Sequence, residues 1–393
     1  MLTKLLSYLP RRRLPIAWMM LRRHPLRLCT SLVAFAFASI LVLMQLAIQD
    51  TLYNSSVALI AGINADAFLL NRQTTSMMSL TSFPQSRLAN ANDGRDVVSA
   101  SPFSFRYMNW RLPGEETGRY PMAIGINPGD EVFLDNNIQS QLKKLTIEGS
   151  VLFDELSPNY YGPVKKTMAA GENFTVSSGS HRLRVAGIFK LGPTFAYEST
   201  IITSLVTFNE IYPAKNPMIS IGLIKLKPGI DVDRWIIKSN NNLLEDVYLV
   251  NKEDFIKSEK AVWSTEKPIG YIFLFGALMG LTIGAIMVYQ LLSTDVSYNI
   301  LTYATMMSLG YRRGQLESIV VTEGLIISAI SFPCAWAISG LLCRAITNST
   351  SLSVGLSEAT ILTTYGLAVL VSVSASLFAM LKLKDADPSD LFS

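Results

Sequence analysis

The 393-residue chain is 49% hydrophobic and only 16% charged, a balance that excludes an ordinary water-soluble globule and points to an integral membrane protein with one large polar insert. Its 34 basic and 30 acidic residues leave a net charge of +4, which gives no reason to expect nucleic acid as a partner. The three cysteines, Cys29, Cys334 and Cys343, all fall in apolar runs, so the polar insert holds neither a disulfide nor a thiolate metal site.

Residues 1–27 form a basic leader with Lys4, Arg11, Arg12, Arg13, Arg22, Arg23 and Arg27 and no acidic residue, which places the N-terminus in the cytoplasm. Within it, Leu14 to Leu28 interleaves Ile16, Trp18, Met19, Met20 and Leu21 with Arg22 and Arg23. That pattern fits a helix lying in the headgroup layer, and it fits equally a basic tail that only sets topology. Residues 28–49 follow as the first span: 22 residues without a formal charge reach about 33 Å at 1.5 Å per residue, enough for a hydrocarbon core of roughly 30 Å. The run is longer than the apolar region of a signal peptide, so an uncleaved anchor is expected.

Residues 50–268 carry basic and acidic side chains in near-equal number and read as an exported, periplasmic α+β domain inserted between spans one and two. Ala67 to Leu70 and Val97 to Trp110 have strand character, whereas Arg72 to Asn92 is polar and unassigned. Asn173 to Val176 and Arg182 to Phe189 flank a Ser/Gly turn as in a hairpin. Ser220 to Lys227 runs into Pro228-Gly229, a turn signal; a helix over Val232 to Leu244, a strand over Val247 to Val250 and a helix over Lys252 to Trp263 lead back to the membrane. The range 80–170, rich in Pro, Gly and Asn, reads as an outer lobe. His181, in the hairpin turn, is the only histidine in the insert, too little for a hydrolase triad or a zinc site. The pairs Glu115-Glu116 and Asp154-Glu155 are adjacent in sequence and read as solvated rather than catalytic.

The remaining chain holds spans at 269–294, 318–343 and 359–381, a cytoplasmic loop at 295–317, a short exported loop at 344–358 and a cytoplasmic tail at 382–393. Residues 345–358 contain no Lys or Arg, whereas Arg312, Arg313, Lys382 and Lys384 lie on the cytoplasmic side. In the loop, Ile300 to Leu309 reads as a short amphipathic helix: Ile300, Tyr303, Ala304 and Met307 recur at spacings of three and four and give one apolar face. Gly310 suits a left-handed C-terminal cap, and Asp295 sits where negative charge favours the helix start. Such a helix is a handle for a partner, although a helix resting on the bilayer has the same pattern. Glu317 and Glu323, six residues apart, do not share a helical stripe. Glu323 lies deep enough that it must face protein or the interface rather than lipid, either as a contact with the first or second span or a subunit partner, or as a headgroup-level residue. No Gly-x-x-x-x-Gly-Lys-Ser/Thr occurs, so ATP hydrolysis by a phosphate-cradling loop must belong to another chain and this one is not expected to be an enzyme.

The segments Tyr289-Gln290-Leu291-Leu292-Ser293-Thr294-Asp295-Val296, Tyr303-Ala304-Thr305-Met306-Met307-Ser308-Leu309-Gly310-Tyr311 and Ala386-Asp387-Pro388-Ser389-Asp390-Leu391-Phe392 resemble the permease subunits of the MacB/FtsX superfamily, and within it the DevC-type permeases of cyanobacterial heterocyst-glycolipid exporters. The likeness extends to Asp50 to Ser56, Val151 to Asp154 and Ile221 to Ile224. The resemblance implies a homodimer of four-helix permeases in the inner membrane, bound to DevA-like ABC ATPase subunits through Ile300, Tyr303, Ala304, Met307, Leu309, Gly310 and Tyr311, with Asp387 and Pro388 marking the tail. It further implies a DevB-like periplasmic adaptor, a TolC-like outer-membrane channel, contact with membrane lipid, no cofactor and no metal. Such a chain works by mechanotransmission, expelling a glycolipid or other amphiphile already in the periplasm. Signalling to a cell-wall hydrolase, as in FtsX, and lipoprotein extraction are the alternative functions of the same architecture.

Overall fold

The computed structural model describes residues 14–92, 94–266, 268–350 and 352–381; the leader before Leu14 and the tail, with Asp387 and Pro388, lie outside the described residues. The chain divides into two compact units, one formed by residues 51–269 with 347–353 and the other by the remaining segments. In chain order the elements are α1 (Leu14–Arg23), α2 (Pro25–Gly62), β1 (Ala67–Asn71), β2 (Phe83–Pro84), α3 (Ser86–Ala91), β3 (Val97–Tyr107), β4 (Met122–Ile126), α4 (Asn136–Gln139), β5 (Ser150–Asp154), α5 (Val164–Ala169), β6 (Phe174–Ser178), β7 (His181–Phe189), β8 (Thr200–Ser204), α6 (Leu205–Ile211), β9 (Met218–Ile219), β10 (Ile221–Leu226), α7 (Val232–Asn240), β11 (Val247–Asn251), α8 (Lys252–Ala261), α9 (Pro268–Tyr298), α10 (Ile300–Ser308), α11 (Arg313–Thr350) and α12 (Glu358–Leu381).

Among the described residues, α2, α9, α11 and α12 are long and apolar enough to cross a membrane. Two of them overrun the expected spans. Helix α2 continues past Asp50 to Gly62, because Thr51 to Ala61 contains neither proline nor glycine to break it. Helix α11 runs for 38 residues with Pro333 inside it.

The inserted domain is built on a nine-stranded sheet in the order β11-β1-β10-β3-β4-β8-β5-β7-β6. The pairs β4–β8 and β5–β7 are parallel, and the others are antiparallel. The expected hairpin is β6–β7, in which Leu183, Val185 and Phe189 are buried while Arg182 and Arg184 are exposed, the period-2 pattern of a half-buried strand. Successive residues of β1 enter different cores, Phe68 packing with Phe103, Ile124, Leu152 and Phe255 and Leu69 with Ile224, Trp235 and Leu249. A third core gathers Trp110, Phe153, Phe174, Val185 and Ile201.

Two expectations for this domain are corrected. The range 80–170 is no separate lobe, since β3, β4 and β5 occupy interior positions of the one sheet, with Pro102 and Gly125 inside β3 and β4. Asp154 is not solvated. It is fully buried, and its carboxylate accepts hydrogen bonds from the backbone N–H groups of Leu156, Leu191 and Gly192 at 3.1, 3.2 and 2.7 Å. Burial outweighs these bonds and holds its carboxyl above the ordinary aspartate range.

Candidate functional site

In the helical unit, one core joins Ala17 and Leu21 of α1, Phe35 and Leu43 of α2, Val288, Leu292 and Val296 of α9, Tyr303 of α10, Leu316, Ile319 and Val320 of α11, and Ala375 and Ala379 of α12. Close approach within it rests on small residues. Gly276, Gly280 and Gly284 recur every four residues along α9, and a Cβ added to them would meet Gln45, Val42 and Ala38 of α2 at 2.6, 3.0 and 3.1 Å. This small-xxx-small run, a sequence signal that the apolar-span reading passes over, lets two helix backbones pack closely where lipid offers no hydrophobic driving force. Gly324 does the same for α11 against Ser372 and Ser376 of α12.

Helix α10 is rooted in this core. Tyr303 and Ala304 are 0% and 2% exposed, and Ile300 and Met307 are half-buried against the same cluster. The helix closes in a Schellman arrangement: the N–H of Gly310 donates to Met307 O at 3.0 Å and that of Tyr311 to Met306 O at 3.1 Å. Gly310 takes φ +93°, a conformation that costs other residues about 1 kcal/mol or more. The apolar face read from the spacing is therefore the inward face, held by the chain itself. Leu301, Leu309 and Tyr311 are 58%, 75% and 42% exposed, and Thr305 is exposed beside them. Spacing alone cannot tell an inward apolar stripe from a docking one, because both have the same period.

Beneath α10 lies a polar cluster contributed by four helices. Glu323 of α11 is 0% exposed, it is within electrostatic reach of Asp295 of α9, and neither of its oxygens has a hydrogen-bond donor among the described residues. Asp295, also buried, stands 3.8 Å from Arg27 Nη1 of α2. It therefore serves this cluster and not the start of α10, whose first turn begins at Asn299 without a side-chain cap. The Arg27 guanidinium stacks over the Tyr298 ring at 4.1 Å. The Tyr303 hydroxyl is buried without a hydrogen-bond partner among the described residues; burial first, then both carboxyls, push it above its ordinary value, so it stays a phenol. Asn299 closes the group, its side-chain amide donating to the Asp295 carbonyl at 3.1 Å. Glu317 lies outside it, half-buried on the first turns of α11. Sequence reading singled out Glu323, Asp295 and Tyr303 separately, whereas the pairing and Arg27's place in it come from the packing.

Among the described residues no group of three or more His, Cys, Asp or Glu side chains could hold a metal ion.

Residues 274–388 match the family model described as FtsX-like permease C-terminal. Among solved structures the chain is similar to the periplasmic region of MacB from Actinobacillus actinomycetemcomitans, at 13% identity and a TM-score of 0.35, covering 51% of this chain and 94% of that one. It is also similar to the extracellular domain of the noncanonic ABC-type transporter YknZ from Gram-positive bacteria, at 13% identity and a TM-score of 0.33, covering 48% of this chain and 99% of that one. No curated protein matches the chain.

Proposed function

We propose that this chain is the permease subunit of an ABC exporter of the MacB/FtsX type, and that it converts ATP-driven movement of a separate ATPase into movement of its exported domain. In this reading the chain works in the inner membrane as a homodimer, with DevA-like ATPase subunits on the cytoplasmic side. A DevB-like adaptor and a TolC-like channel carry a glycolipid or other amphiphile outward.

The observation that carries the reading is the construction of α10 within the FtsX-like segment. Its inner face is built into the core of the helical unit through Tyr303 and Ala304, a glycine cap fixes its end, and Leu301, Thr305, Leu309 and Tyr311 are left exposed. A helix held this firmly passes a push on its outer face to the spans rather than absorbing it, because packed interiors deform little. The outer residues, rather than the inward stripe, are then the ATPase contact.

Co-purification tests it. The full chain carrying Leu301→Glu with Leu309→Glu is expected to insert in the membrane and to lose its ATPase partner in pull-downs; undiminished binding with unchanged stimulation of ATP hydrolysis would overturn the assignment.

A further inference from the structure

We infer that the helical unit carries a binding site for one acidic phospholipid in the groove between α2 and α9, with the headgroup on Arg27 and an acyl chain running toward Phe35. The groove follows from the sequence of α9. Where Gly276, Gly280 and Gly284 face Gln45, Val42 and Ala38, the two helices are in close contact, and the gap left beside Gly280 and Gly284 is only about 20 Å³. One turn past Gly284 the small-residue run stops at Val288. From there the helices leave an open groove of about 370 Å³ that extends from Phe35 back to Arg27. That volume lies in the range of small-molecule sites, and eight residues of α2 give it a length of about 12 Å.

The lining is ordered by polarity along its length. Toward the glycine run it is apolar: Phe35, Val288 and Ile327 are buried there, with Leu291 beside them. At the other end stand Arg27, Thr30, Gln290 and Thr294. The Thr30 and Thr294 hydroxyls donate to carbonyls of their own helices, Arg27 O at 2.9 Å and Gln290 O at 2.7 Å. The donors left for a ligand are the Gln290 amide and the Arg27 guanidinium. Tyr298 stacks on that guanidinium at 4.1 Å, and Asp295 stands 3.8 Å from Nη1, beyond hydrogen-bond distance. The Arg27 side chain is 27% exposed, and its planar fork of N–H donors matches the oxygens of a phosphate.

Charge selects the headgroup. Arg27 is the one formally charged residue among the described residues that line the groove, and the chain has no acidic residue before Asp50. A zwitterionic lipid brings a cation that finds no carboxylate in this lining, whereas an acidic lipid brings only the charge that Arg27 attracts. A free phosphate ion would meet the same donors but bury none of the apolar length, so the lipid is the better occupant. The site is built from α2, α9 and Ile327 of α11, and it does not rest on the coupling role given to α10 above.

Native mass spectrometry of the purified full chain, delipidated and then offered an equimolar mixture of dioleoyl phosphatidylglycerol and dioleoyl phosphatidylcholine, tests the site. The wild type is expected to retain one phosphatidylglycerol per chain in preference to phosphatidylcholine and to gain thermal stability from it. Arg27→Gln is expected to weaken that retention about tenfold or more, the loss of a charge-assisted hydrogen bond. Ala34→Phe, which fills the apolar length of the groove and keeps Arg27, is expected to abolish it. Arg22→Gln with Arg23→Gln, which removes basic charge outside the lining, is expected to leave it unchanged. Equal retention of both lipids by the wild type overturns the proposal even where Arg27→Gln cannot be purified, and so does wild-type retention by Ala34→Phe. A loss in the Arg22, Arg23 variant equal to that of Arg27→Gln overturns it as attraction to a basic surface only. Stabilisation by inorganic phosphate alone equal to that by phosphatidylglycerol overturns it in favour of a free-anion site.

Discussion

Glutamate placed at position 304 and glutamate placed at position 301, three residues apart on α10, should have opposite consequences for the permease itself. Ala304 is 2% exposed and packed in the helical core, whereas Leu301 is 58% exposed. Ala304→Glu forces a methylene and a carboxylate into filled space, costing about 1–3 kcal/mol for the added volume and several kcal/mol more for an ion without a partner. Against a total stability of order 5–15 kcal/mol, that is enough to unfold a large fraction of the chain. Leu301→Glu replaces one good helix former by another on the surface and should stay within about 0.5 kcal/mol. Heating the purified full chain and following its monodisperse fraction by size-exclusion chromatography separates the two: Ala304→Glu is expected to aggregate many degrees lower and Leu301→Glu with wild type. If Ala304→Glu were as heat-stable as wild type yet lost its ATPase, the stripe Ile300, Tyr303, Ala304 and Met307 would face outward, and the inward rooting of α10 would be refuted.

Gly280→Leu should separate α2 from α9, since even a Cβ there approaches Val42 Cγ2 to 3.0 Å and Leu41 Cβ to 3.4 Å. A loss of about 1–3 kcal/mol is expected in thermal stability, with Gly280→Ala much milder. In the inserted domain, Asp154→Ala leaves three backbone N–H groups without their acceptor, about 1–3 kcal/mol each, and should render the domain sensitive to limited proteolysis. Asp154→Asn sets its amide against one of those donors and should cost about a third as much. Because the folded chain holds the Asp154 proton more tightly than the unfolded one, the residue's contribution is greatest below the unfolded aspartate value of about 3.9 and declines as pH rises through the higher folded value. The stability difference between wild type and Asp154→Asn, followed from acid to neutral pH, should move against the wild type. Ser357 caps α12 by accepting from Thr360 N at 3.1 Å, and its hydroxyl donates to Asp50 of α2 at 3.0 Å; Ser357→Ala should cost about 0.5–2 kcal/mol, read in the same thermal assay.

Hydropathy and spacing in the sequence by themselves determined which segments are apolar enough to cross a membrane, where the polar domain is inserted, and the period of α10 with its glycine stop. The alternation of β7 and the turn before it were legible for the same reason: burial of one face imposes a period of two or 3.6, and glycine meets a positive φ, whatever the rest of the chain does. What stayed hidden depends on partners distant in sequence. The nine-strand order drew residues 80–170 into the middle of a single sheet. Asp154 next to Glu155 looked like a solvated pair, yet it is fully buried and two of its three backbone donors, Leu191 and Gly192, come from a distant segment. An apolar stripe carries no sign of whether its own chain or another covers it, so only packing decided that Tyr303 and Ala304 turn inward. Likewise Glu323 was marked by its depth alone. Its meeting with Asp295, Arg27 and Tyr303 arises from the convergence of four helices, because electrostatic coupling falls off over a few ångströms of space and not over positions in a sequence.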